Sequence, residues 1–439
     1  MKPLIILGGG LAGLSAAHYS KHPWCLVEMS TRVGGLAKTE VVEGGFSFDA
    51  TGHWLHLRDQ AVRKKVLEEW LPEGMDSFQR RAGILSHGVF TRFPYQINTH
   101  GLPAEIVSEN VLGFIEAQLG EGGKPLRERS PVNFKEFILR HLGSGFARHF
   151  MLPYNQKLWT VDAETLSADW CGRFVPKPSL REVIEGALGH GSDSAGYNAN
   201  FLYPRSGGIE SLVRALHSTL RGEILLETQP VSIDWKSKKV KLSNGQTLEY
   251  RGLISSIPLP KLIDCLAKGE QGVPPEVEKA ASSLRATTVT YVNVGVSSPN
   301  RQPWHWVYLP EPKFKTYRIG SPSAVSPRLS PPGTSSFYVE YSHRGELSKA
   351  ECEQFAREDL LQAELIHRKE DVLFTHAREI SQAYVLYDHA YGPATDTLFK
   401  FLKQSKIDVA GRYGKWEYSS MEDAILSGKA CAESVDRVR

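Results

Sequence analysis

The chain has 439 residues, 41% of them apolar and 23% charged, enough for a sizeable core and, by length, two or three domains. Fifty-two basic against 49 acidic residues leave a net charge of +3, too balanced for a protein built to bind nucleic acid or an anionic membrane. No apolar run approaches the roughly 20 residues that cross a bilayer, so a soluble or at most peripheral protein with no transmembrane segment is expected. Cys25, Cys171, Cys265, Cys352 and Cys431 are scattered and form no C-x-x-C. That suits a reducing, cytoplasmic location and argues against a disulfide framework or a metal cluster.

Leu4-Ile5-Ile6-Leu7 is a short apolar run that predicts a strand. Gly8-Gly9-Gly10-Leu11-Ala12-Gly13 follows and opens a helix through Leu14-Ser15-Ala16-Ala17-His18. Gly8, Gly10 and Gly13 fill the three slots of G-x-G-x-x-G: one for the tight turn, one for approach of a pyrophosphate, one for helix–strand packing. A second strand, Trp24-Cys25-Leu26-Val27, ends on Glu28, whose carboxylate can accept hydrogen bonds from both ribose hydroxyls of an adenosine. Arg32-Val33-Gly34-Gly35 comes next. This continuation resembles the FAD-binding signature of the amine-oxidase-like flavoproteins, which include desaturases, protoporphyrinogen oxidase and UDP-galactopyranose mutase. A secretory signal fits the same residues superficially, but three consecutive glycines weaken its apolar helix, and cleavage would destroy the motif.

Further along, Val41 to Asp49 reads as a hairpin around Gly44-Gly45, leading into Thr51-Gly52-His53-Trp54-Leu55-His56. His53 and His56 have helical spacing for a metal, yet no carboxylate or Cys cluster accompanies them, and no metal is expected. From about residue 60 to 195 the pattern is helical, with three- and four-residue apolar spacing over Val62 to Trp70, Ala104 to Leu119 and Phe134 to Leu142. Glu121-Gly122-Gly123-Lys124-Pro125 and Arg127-Glu128-Arg129 mark a surface loop. Residues 222–257 switch to short β runs, with a hairpin turn at Ser243-Asn244-Gly245-Gln246 and a strand, Leu253 to Pro258, re-entering the nucleotide sheet. Thr287 to Val296 and Trp306 to Tyr341 are strand-rich and suit a second sheet. Ile407 to Arg412 reads as strand then glycine turn, and Met421 to Val435 as a helix. There is no second G-x-G-x-x-G, so no separate NAD(P)H domain is expected, although NAD(P)H remains open as an external reductant.

The expected fold class is therefore α/β. A Rossmann-like FAD-binding domain, a parallel sheet plus β-meander, carries a helical insertion and a second, mostly antiparallel sheet. Residues 1–60, 200–260 and 375–439 are assigned to a discontinuous FAD domain, 61–199 to a helical substrate domain and 261–374 to an antiparallel-sheet substrate domain.

Several segments, in order, are similar to UDP-galactopyranose mutases, most closely the longer-chain branch, and together they span nearly the whole chain. Asp49-Ala50-Thr51-Gly52-His53 is similar to the family's D-x-G-G-H loop facing the flavin, and Phe93-Pro94-Tyr95-Gln96-Ile97-Asn98 to Y-P-F-Q-N. Pro153-Tyr154-Asn155-Gln156-Lys157-Leu158-Trp159, then Asp169-Trp170, resembles P-Y-N-x-K-x-W and a downstream Trp. Tyr203-Pro204-Arg205-Ser206-Gly207-Gly208-Ile209 resembles the proline–Arg–glycine turn. Trp306-Val307-Tyr308-Leu309-Pro310-Glu311 with Thr316-Tyr317-Arg318 resembles W-x-Y-x-P-E and F-Y-R, with the Tyr-to-Arg spacing preserved. Gly411-Arg412-Tyr413-Gly414-Lys415-Trp416-Glu417-Tyr418 is similar to the closing G-R-x-G-x-x-x-Y.

The resemblance implies an enzyme that interconverts pyranose and furanose forms of a nucleotide sugar through an adduct of the sugar with N5 of reduced FAD. Departure of UDP develops charge on a diphosphate, which guanidiniums are suited to neutralise; Arg205 and Arg318 are the expected pair. Gln96, Trp170, Tyr308, Tyr391 and Tyr418 are expected to contact substrate, the tyrosines through hydroxyls on the phosphates, with Trp159 a further wall. His53 is expected beside the isoalloxazine, where Gly52 permits unusual dihedrals. Arg412 resembles the residue that contacts the FAD pyrophosphate and ribityl chain. Two departures, a shortened Ser206-Gly207-Gly208-Ile209-Glu210 turn and Ser419-Ser420-Met421-Glu422-Asp423 in place of an Asn–Gln–Asp run, touch the substrate rather than the cofactor. The alternatives are a FAD-dependent oxidoreductase of the amine oxidase, protoporphyrinogen oxidase or desaturase type, and a non-catalytic flavin-binding protein. A homo-oligomer is left open.

Overall fold

The computed structural model describes residues 2–71, 73–120, 130–191, 199–300 and 302–437, the side chains of residues 173 and 174 excepted. Leu4–Leu7 has every side chain buried, as does Trp24–Val27. Strands buried on both faces read as continuous apolar runs, and these two pair in parallel. They lie in a five-stranded sheet ordered Ile407–Val409, Gly252–Ser255, Leu4–Leu7, Trp24–Val27, Glu223–Leu225. The pairings are all parallel, so the expected return of the 253–258 segment to the nucleotide sheet is met. Helices Leu11–Tyr19, Glu210–Ser218 and Met421–Arg437 pack on one face around Leu14, Leu212 and Ile425. Leu259–Ala267, Pro275–Ser283 and Tyr391–Gln404 pack on the other, around Leu262, Val277 and Leu398. The three strands Pro230–Asp234, Lys239–Leu242 and Thr247–Glu249 form the expected meander.

A seven-stranded second sheet runs Val372–Val385, Ala286–Val296, Ser335–His343, Arg318–Gly320, Trp306–Tyr308, Ala82–Ser86, Val89–Arg92. It is antiparallel except where Trp306–Tyr308 pairs in parallel with Ala82–Ser86. The helical region comprises Ala104–Leu119, Phe134–Phe146, Leu152–Trp159 and Leu180–Ala187 around Phe114, Phe137, Phe146 and Trp159. This is the α/β class expected, a parallel nucleotide sheet joined to helices and a mixed second sheet.

The structure departs from the expected helical stretch at residues 75–92, which form three strands. Ala82–Ser86 is buried along its whole length, so it shows no alternation to distinguish it from a helix turn. Met75–Gln79 pairs with Asn200–Pro204, so the expected break between 199 and 200 falls against a strand tied to the neighbouring segment. The expected boundary at 374/375 lies inside Val372–Val385, which belongs to the second sheet. The loop expected at Glu121 to Arg129 lies outside the described residues. Among the described residues, no helix is long and apolar enough to cross a membrane.

Candidate functional site

The turn after Leu4–Leu7 depends on glycine at two positions. Gly8 has φ +98°, and a Cβ on Gly13 would lie 1.9 Å from the Gly8 carbonyl oxygen. Helix Leu11–Tyr19 therefore starts hard against the strand, and no side chain caps its first turn. Those N–H groups and the dipole behind them form an anion site. The Gly34 amide donates to the Gly9 carbonyl at 2.8 Å, and Gly35 (φ +58°) lies close to Gly10, which lays the Arg32–Gly35 segment across the turn. Glu28 is buried and accepts from the amides of Gly9 (2.7 Å) and Ser30 (2.8 Å). Arg32, half exposed, pairs with Glu210 at 3.1 Å. An uncapped helix start, a glycine cradle and a carboxylate at the strand end fit the phosphates and ribose of a dinucleotide.

A cavity of about 460 Å³ opens where the 51–56 loop, the helical region and the second sheet meet. Trp54 stacks on Trp306 with centroids 6.4 Å apart, and Trp159, Trp170, Tyr154, Tyr308, Tyr384, Tyr387 and Tyr418 continue its aromatic wall. Rings of this kind give large contact area with a polar edge. His53 faces the cavity, and burial, reinforced by the Arg412 charge, lowers its pKa to about 4. Its imidazole is thus neutral at physiological pH. The left-handed backbone in this loop belongs to Thr51 (φ 67°) rather than to Gly52. Gly52 is required for space, since a Cβ there would meet the Tyr338 hydroxyl at 2.5 Å and the Trp54 indole nitrogen at 2.8 Å.

Three guanidiniums line this space. Arg80 is buried, with Cζ 5.1 Å from the Phe93 ring centroid. Arg318 donates through Nε and Nη2 to Glu340, a carboxylate only 1% exposed, and the pair is registered directly across two strands. Arg412 donates to the Ala383 carbonyl at 2.6 Å and lies over the rings of Tyr384 and Tyr418, at 5.3 and 4.7 Å. Buried polar atoms on the cavity residues that make no hydrogen bond include Gln96 Oε1, Arg412 Nε and Ser419 Oγ. Buried polar groups are ordinarily paired, so this wall is prepared for a polar ligand.

Of the residues expected from sequence, the fold brings Gly52, His53, Gln96, Trp159, Trp170, Tyr308, Arg318, Arg412 and Tyr418 to the one cavity. Arg205 is not among them. It follows Asn200–Pro204, paired with Met75–Gln79, and is 55% exposed, donating to Asp76 at 3.0 Å and to the Glu73 carbonyl at 3.3 Å. Tyr391 is also elsewhere: it begins helix Tyr391–Gln404, and its hydroxyl donates to the Trp416 carbonyl at 3.0 Å beneath the parallel sheet. Sequence reasoning missed Arg80, Glu340 and Tyr384, and gave Tyr154 no role beyond its place in the 153–159 motif. Glu340 had a signal, a lone acid inside the apolar run Phe337-Tyr338-Val339-Glu340-Tyr341, which demands a buried cation.

The sequence profile of flavin-containing amine oxidoreductases matches residues 11–436. A crystal structure of reduced UDP-galactopyranose mutase is similar over 100% of this chain and 94% of its own, with TM-score 0.91 and 24% identity. A protein assigned as a protoporphyrinogen oxidase, from Exiguobacterium sp. 255-15, is similar over 100% and 99%, with TM-score 0.75 and 18% identity. Putrescine oxidase bound to putrescine is similar over 99% of each chain, with TM-score 0.67 and 16% identity. The chain belongs to the flavin-containing amine oxidoreductase family and is a flavin-dependent enzyme of that superfamily.

Proposed function

We propose that this flavin enzyme holds FAD and isomerises a nucleotide sugar between pyranose and furanose forms, in the manner of a UDP-galactopyranose mutase. The observation that carries the reading is the convergence of Arg80, Arg318 and Arg412 on one tyrosine-rich cavity whose Gln96 amide oxygen is buried and unpaired. Guanidiniums make paired, charge-assisted hydrogen bonds to phosphate oxygens, and an unsatisfied amide selects a partner with its own donor edge. The overall likeness to reduced UDP-galactopyranose mutase supports the same reading. Reduced flavin, when bound, supplies an electron-rich N5 able to act as a nucleophile toward an anomeric carbon. The chain's part is to neutralise charge on the departing diphosphate through Arg318, Arg80 and Arg412, to donate from Tyr308 and Tyr418, and to exclude water with the tryptophans. His53, neutral at pH 7, adds no cation beside the ring. Gly8, Gly10, Gly13, Glu28, Arg32, Gly34 and Gly35 would hold the FAD phosphates and ribose.

One observation favours an oxidoreductase instead. Glu340 cancels the charge of Arg318, and the aromatic lining suits an apolar substrate as well as a sugar. Dithionite-reduced holoenzyme incubated with UDP-galactofuranose separates the two. UDP-galactopyranose formed catalytically supports the mutase; no conversion, with peroxide released from an amine or a porphyrinogen in air, establishes the oxidoreductase.

A further inference from the structure

Tyr308 and Arg318 sit on two strands of only three residues each, Trp306–Tyr308 and Arg318–Gly320, where they are direct cross-strand partners. So short a ladder fixes little by itself, and the connecting loop, residues 309–317, leaves backbone groups to be satisfied from outside. Two side chains do this. Lys157 Nζ donates to three of the loop's carbonyls: Leu309 at 2.8 Å, Glu311 at 2.6 Å and Thr316 at 3.1 Å. All three ammonium protons are thereby used. Asp359, 2% exposed, accepts from the amides of Lys315 (3.0 Å) and Thr316 (2.8 Å) and from the Tyr341 hydroxyl (3.2 Å).

Lys157 lies on helix Leu152–Trp159, which also presents Tyr154, Asn155, Leu158 and Trp159 to the cavity. Tyr154 meets Tyr308 edge-on at 5.3 Å and Tyr317 at 6.3 Å, so the helix touches both ends of the loop that Lys157 binds. We propose that Lys157 is a positioning residue: its ammonium, through three loop carbonyls, fixes the helical wall of the cavity against the strands bearing Tyr308 and Arg318. The ligand consequence rests on the nucleotide-sugar reading above; the positional one does not.

Loss of the proton removes the charge and one of three donors, and turns a lone pair toward a carbonyl oxygen. Burial lowers the Lys157 pKa to about 8, against the opposing pull of Asp359 and Glu311 and with the push of Lys315. Burial also raises Asp359 and pushes the hydroxyls of Tyr154, Tyr317 and Tyr341 well above the ordinary tyrosine value. The clamp therefore weakens as pH rises through about 8.

The test uses near-ultraviolet circular dichroism of the flavin-loaded protein without ligand, read on the tyrosines and tryptophans of the cavity. Wild type is expected to lose aromatic signal with a midpoint near pH 8. Lys157→Met is expected to show at pH 7 the spectrum that wild type reaches above pH 9, and no further change with pH. A wild-type spectrum flat from pH 7 to 9.5 would overturn the proposal even if the variant failed to fold. A variant with the wild-type spectrum at pH 7, or with the wild-type titration retained, would overturn it too. The dissociation constant for UDP, from tryptophan quenching, should rise about tenfold in Lys157→Met at pH 7. Failure of wild type to bind UDP would instead strike the nucleotide-sugar reading and leave the spectroscopic result standing.

Discussion

Glu340→Gln isolates the ion pair that Arg318 makes with the buried Glu340 on the cavity wall. Arg318 donates two hydrogen bonds to a carboxylate that is 1% exposed, so the substitution leaves a guanidinium facing a neutral amide with one acceptor. Breaking a buried pair from one side costs on the order of 3–5 kcal/mol, and the remaining amide oxygen places this case near about 3. With an unfolding entropy of about 2.1 cal/mol/K per residue over the 439-residue chain, that is a fall of roughly 3 °C in melting temperature, read by thermal unfolding of the holoenzyme. The double variant Arg318→Met/Glu340→Gln carries no stranded charge and should recover at least half of the loss. Freed of its counter-ion, Arg318 in Glu340→Gln should also bind diphosphate more strongly, lowering the UDP dissociation constant several-fold. A Glu340→Gln protein melting with wild type, or a double variant no better than the single, would refute the reasoning.

Gly13→Ala forces a Cβ onto the Gly8 carbonyl oxygen, a backbone atom that cannot swing aside, and should yield protein purified without flavin absorbance. Arg205→Ala removes an exposed ion pair and an exposed hydrogen bond to the Glu73 carbonyl; stability should change by about 1 kcal/mol or less, with flavin content and UDP affinity unaltered. Acid stability should be governed by buried histidines. Burial lowers His53 to about 4, and burial with the Arg81 charge lowers His305 to about 3. Below about pH 6.5 the unfolded chain therefore takes up protons that the folded chain refuses, and stability falls as pH falls toward 4. Asp49, raised by burial to about 6, works in the opposite sense between pH 6 and its unfolded value. Urea midpoints of His305→Phe, which cannot titrate in its pocket of Phe78 and Phe201, should fall less steeply over that window than those of wild type.

The parts of the site that were legible are those set by backbone. Gly8, Gly13 and Glu28 are needed at fixed offsets along a strand, a turn and a helix, so their spacing carries the geometry. Arg318 was expected from the family resemblance of the 306–318 segment, and the structure sets it opposite Tyr308 on an adjacent strand. Arg205 was misplaced for a physical reason: its turn follows a strand that pairs with Met75–Gln79, and that pairing carries the guanidinium to Asp76 on the outside. Pairing with residues some 130 positions away is not visible in local pattern. The same holds for Arg80 and Tyr384, which reach the cavity through sheet order alone. Ala82–Ser86 escaped as a strand because both its faces are covered, which erases the period of two.

The most direct test of the central claim is calorimetric titration of the flavin-loaded protein with UDP, at low and at raised salt. The arrangement of Arg80, Arg318 and Arg412 predicts one saturable site per chain, weakened by salt and at least tenfold weaker in Arg318→Ala, as expected for losing a charge-assisted phosphate contact of about 1.5–3 kcal/mol. No heat of binding with UDP, or an affinity indifferent to Arg318, would contradict it.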